Sequence, residues 1–201
     1  MKPQSMFTRI GSWCLLMIML FGAFVPAAEA AAQSKLNLSA AERGKLGLFL
    51  SNFSELQMTA WDSAKPDTAA LIRFGVWHNY LNNFDTAISS TKEGKLYISK
   101  DKVAASVNKY FKLPLTRHAS TKEYTFNGKG YVFDGADGEP VNYVRVHEVY
   151  KLQTGGYKVL GKLYNPDVEE AEEFGKVTAT VRKVTEKGSS RYILLKLDIR
   201  Y

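Results

Sequence analysis

The sequence predicts an α+β domain in which N-terminal helices pack on a curved, cone-like C-terminal antiparallel sheet. Three observations carry this. Apolar residues recur at helical spacing through the first half of the chain. Two-residue alternation takes over after Thr121. The alternating segments are joined by hairpin-length connections. Helices that precede such a sheet must cover one of its faces to bury its apolar side.

The elements follow in order. Ser39-Ala40-Ala41-Glu42 reads as a capping box, and a helix is expected over residues 39–52 with Leu46, Phe49, Leu50 and Phe53 apolar. Gly44 and Gly47 weaken that helix. Asp67 is a good N-cap for a longer helix over residues 67–87. On a wheel of roughly 100° per residue, Phe74, Leu81, Phe84 and Ile88 cluster around Trp77 as an expected buried stripe. A short strand is expected at residues 96–98. Ser99 then caps a third helix with Val103, Val107, Tyr110 and Phe111 on one side, and Pro114 ends it. Residues 124–126 and 131–133 alternate around Asn127-Gly128, a hairpin turn. Longer strands are expected over residues 141–152, 157–164, 177–184 and 191–201. In the last one only Leu194 departs from the alternation.

Ahead of this domain, residues 1–30 have the three parts of a secretory signal peptide. Lys2 and Arg9 supply the charge, Cys14 to Val25 is apolar, and Ala28-Glu29-Ala30 fits a peptidase site. The apolar run is about a dozen residues, short of the roughly 20 that span a bilayer. The expected product is a periplasmic or secreted protein with no stable membrane anchor after cleavage. Residues 31–38 read as a linker and residues 39–201 as a single domain. Cys14 is the only cysteine, so the mature chain is expected to fold without disulfides, cysteine metal ligands or a cofactor. The net charge is +7, of which the signal contributes +1. That excess suits solubility or attraction to an anionic envelope surface. No nucleic-acid motif is present.

As an order of elements, residues 39–201 resemble the cone-shaped superfamily of ketosteroid isomerase and the nuclear transport factor. The resemblance implies a curved sheet around a long helix, with a pocket at the open end. No motif carries it, so no family residue is transferred. In general style the chain also resembles exported bacterial domains. A cystatin-like sheet on one helix is the alternative, and the three expected helices count against it.

Four residues stand out as candidates for ligand binding: Glu148, His78, Asp85 and Asn82. The wheel puts His78, Asn82 and Asp85 on one edge of the apolar stripe, where they could act on a polar ligand or simply pack. Glu148 interrupts the apolar series Val144, Val146, Tyr150 and Leu152, with Val149 among the residues of the opposite face. An inward carboxylate is costly unless it is paired or protonated. The alternatives are a bulge that turns Glu148 outward, or pairing with Lys183. Asp134 to Glu139 resembles a calcium loop only in composition. The three histidines lack zinc spacing, so no metal site is expected. No convincing acid–base or nucleophile pair occurs. The sequence therefore favours a non-enzymatic module for a small amphipathic ligand or an envelope-protein segment. An isomerase-type enzyme using Glu148 with His78 is the rival. A structural protein that forms a homodimer through its open sheet face is a third reading.

Overall fold

Ser39 starts the first helix with a reciprocal cap. Its hydroxyl accepts from the Glu42 amide at 3.2 Å, and the Glu42 carboxylate accepts from the Ser39 amide at 3.0 Å. The computed structural model describes residues 34–135, 141–169 and 171–201. The expected signal segment, part of the Asp134–Glu139 loop and Glu170 lie outside the described residues.

Helix α1 (Ala40–Ser54) buries Leu46, Leu50 and Phe53. Helix α2 (Thr68–Asn82) starts where the Asp67 carboxylate accepts from the Ala69 amide at 2.9 Å. It stops at Asn83, whose φ of −140° and ψ of 29° leave the helical region. A single turn, α3 (Phe84–Ala87), follows. The expected long helix is thus two pieces. Helix α4 (Lys100–Phe111) is capped by Ser99 and buries Val103, Val107, Tyr110 and Phe111, as its spacing predicts.

The strands form two antiparallel sheets where one continuous meander was expected. The larger has six strands in the order β1-β7-β8-β9-β10-β2. These are β1 (Ser34–Lys35), β7 (Tyr143–Lys151), β8 (Tyr157–Tyr164), β9 (Phe174–Glu186), β10 (Ser189–Arg200) and β2 (Ala60–Asp62). The smaller has the order β3-β4-β6-β5, from β3 (Ile88–Ser90), β4 (Leu96–Ser99), β6 (Gly130–Phe133) and β5 (Thr125–Phe126). Part of the expected linker is therefore strand: Ser34 pairs with Lys151 and Lys35 with Tyr150. Residues Ala31–Tyr201 form one compact unit with its core closed inside it.

Helix α1 packs on β7, α4 packs on β10, and α2 packs on α4. Gly75 permits the α2–α4 contact, because a Cβ there would lie 2.6 Å from the Val103 side chain. Burial on that side shifts the apolar phase of α2. Leu71, Ile72, Phe74, Val76, His78 and Asn79 are buried, whereas Leu81 and Phe84 are exposed. Trp77 is only partly buried, edge-on to Tyr80, Tyr124 and Phe133. The buried face of α2 is therefore not centred on Trp77, where the spacing predicts it.

Candidate functional site: a groove between the first helix and a sheet edge

Helix α1 lies along the outer edge of β7. The Val144 amide donates to the Ser51 hydroxyl at 3.0 Å, and that hydroxyl donates to the Gly47 carbonyl at 2.9 Å. Gly47 permits this approach, since a Cβ there would stand 2.7 Å from the Val144 carbonyl oxygen. Nearer the start of α1, helix and strand part around a groove of about 630 Å³. Its walls include Arg43, Gly44 and Leu48 from α1, Val146 and His147 from β7, and Tyr164 from β8. At Gly44 a Cβ would meet nothing within 4 Å.

The rim on the sheet side is charged. Arg145 lies 4.5 Å over the Tyr164 ring and donates to Glu173 at 3.1 Å, while His147 Nε2 is 2.7 Å from the same carboxylate. Burial pushes the Glu173 carboxyl up, but Arg145 and His147 together outweigh that and hold it below its ordinary value. The groove thus combines aliphatic surface, one aromatic ring and cationic groups. An amphipathic anion has matching chemistry: its tail against Leu48 and Val146, its head toward Arg43 and Arg145.

Glu148 does not face an internal pocket. The β7–β8 register shifts between Val146 and Glu148, so His147 is the extra residue of a bulge. The bulge reverses the phase of the strand: Val149 is buried in the core, and Glu148 turns to the other face. There it pairs with Lys35 at 2.5 Å and accepts from the Tyr150 hydroxyl at 2.6 Å. Those hydrogen bonds, Lys35 first, hold its carboxyl below the ordinary value, opposite to the rise an inward position predicts. Its partner is Lys35 and not Lys183.

His78 is buried, stacked on Phe74 with ring centroids 5.4 Å apart and edge-on to Tyr110 at 4.5 Å. Burial lowers its pKa to about 4, with Lys109 adding to the effect. The Asn82 side-chain nitrogen lies 3.4 Å from His78 Nδ1 and 3.3 Å from the Glu55 carboxylate. Asp85 does not continue this edge, because the break at Asn83 moves it to an exposed position in α3. The acid that Asn82 links to His78 is Glu55, which sequence reasoning missed. Burial raises its pKa, against hydrogen bonds from Asn82 and Tyr143. One signal could have found it: Glu55 is the C-cap of α1, where a carboxylate faces the negative end of the helix dipole.

Among the described residues no group of three metal-ligating side chains comes together, and no helix is long and apolar enough to cross a membrane. No protein-family model, curated protein or solved structure matches this chain.

Proposed function

We propose that the protein is an exported, non-enzymatic binding module that holds a small amphipathic anion in the α1–β7 groove. The observation that carries this reading is Gly44. A glycine inside a helix costs about 1 kcal/mol relative to alanine. At Gly47 that cost has a packing reason, the close approach to Val144. At Gly44 it has none, since the space beside it is open groove. Retaining the glycine keeps the groove open where Arg43 and Leu48 line it. The enzyme reading has less support, because Glu148 and His78 share no partner and His78 is buried among aromatic rings.

The test is titration with dodecanoate, a simple amphipathic anion, followed by calorimetry. The parent should bind it. Gly44→Phe, which fills the groove from an open position, should keep its melting temperature and lose binding. Equal binding by the two proteins would contradict the proposal.

A further inference from the structure

A second feature lies on the outer face of the six-stranded sheet; it shares Arg145 with the groove and is otherwise built from other residues. In the β7–β8 ladder Arg145 stands opposite Lys162, and in the β9–β10 ladder Lys176 stands opposite Arg200. Between β8 and β9 the register shifts at Lys162, across from Gly175 and Lys176. Arg145, Lys162, Lys176 and Arg200 therefore form one row over four adjacent strands. All four are exposed, while their strand neighbours Val144, Gly161, Val177 and Ile199 are buried in the core. At about 4.8 Å per strand the row is about 14 Å long.

Like charges directly opposite each other destabilise a sheet. Two such pairs stand side by side here. Glu173 offsets Arg145 and Asp198 offsets Arg200, at the two ends. Lys162 and Lys176, in the middle, have no ion-pair partner among the described residues. Lys158 and Lys196 lie on the same face, on either side of Thr180, with Asp62 4.0 Å from Lys196. A cationic row of this kind has the composition of a polybasic surface drawn to anionic lipid headgroups.

We infer that this face docks the protein on a bilayer rich in anionic phospholipid. The lysines and arginines sit over the headgroup phosphates.

The experiment measures sedimentation of the Ala31–Tyr201 unit with phosphatidylglycerol vesicles and with phosphatidylcholine vesicles. Binding should be confined to phosphatidylglycerol and should weaken as salt is added. Reversing both central lysines, Lys162→Glu with Lys176→Glu, should reduce partitioning at least roughly tenfold. It should not lower the melting temperature, because it relieves repulsion. Lys162→Gln with Lys176→Gln should give a smaller loss in the same direction. Gly44→Phe should bind vesicles as the parent does, which separates this face from the groove. Equal binding to both lipids, or no loss on charge reversal, would overturn the inference. So would tight binding to soluble polyphosphate with no vesicle binding, which would assign the row to a free polyanion.

Discussion

Gly44 and Gly47 are three residues apart on α1, yet only Gly47 is in contact with the sheet. A Cβ on Gly47 would lie 2.7 Å from the Val144 carbonyl oxygen, and a Cβ on Gly44 would meet nothing within 4 Å. Gly44→Ala should therefore stabilise the protein by about 1 kcal/mol through helix propensity and a less flexible unfolded chain. Gly47→Ala should destabilise it by about 1–3 kcal/mol, because the obstacle is backbone and α1 must move off β7. Urea unfolding of the two variants checks this. Equal shifts would mean that α1 does not press on β7 at Gly47.

Glu148 gives a second prediction. Its pairing with Lys35 ties β1 to β7, on exposed side chains where such pairs contribute little. Its carboxyl is held below the ordinary value. The associated stability is present above the ordinary carboxylate range and is lost as pH falls through the lowered folded value. Glu148→Gln should thus cost little at neutral pH and nothing in strong acid, and Lys183→Met should match the parent. A large loss in Lys183→Met would restore the inward position.

His78 gives a third. Unfolded, it takes a proton near its ordinary value of 6.5, and folded only near 4. Between those values the unfolded chain binds more protons. The contribution is full above about pH 6.5 and is lost as pH falls toward 4, with a ceiling of about 3 kcal/mol. Glu55, with its raised pKa, acts in the opposite sense, so the comparison must be with a variant. Subtracting the His78→Leu profile from the parent's should leave a rise in stability across that window. A flat difference would show that His78 reaches solvent in the folded protein.

Export gives a fourth. Cleavage is expected after Ala30, which leaves Ser34 and Lys35 in place to pair with β7. N-terminal sequencing of the envelope fraction should begin at Ala31. An intact Met1 on a membrane-bound product would contradict export as a soluble protein.

Much of this architecture is legible in the residues, and the places where it is not have physical causes. The Ser39 cap, the α4 stripe from Val103 to Phe111 and the Asn127-Gly128 hairpin follow from local chemistry. The bulges leave a mark in the sequence. Glu148 and Val149 exchange their expected faces at one, and Leu194 enters the core opposite Val181 just before another. Each break in alternation was a change of phase, not a buried polar group. The phase of α2 was not legible because the helix is buried on more than one side and ends at Asn83 with no glycine or proline to signal it. The strand β2 has three residues and too little pattern to read. The groove could not be found from residue types alone. It depends on which of two glycines meets the sheet.

Amide chemical-shift mapping with dodecanoate tests most directly whether the α1–β7 groove is the binding site. The amides of Gly44, Gly47, Leu48, Val146 and His147 should move together and saturate, with those of His78, Asn82 and Glu55 unchanged. Shifts centred on Glu55, Asn82 and His78, with the groove amides still, would contradict it.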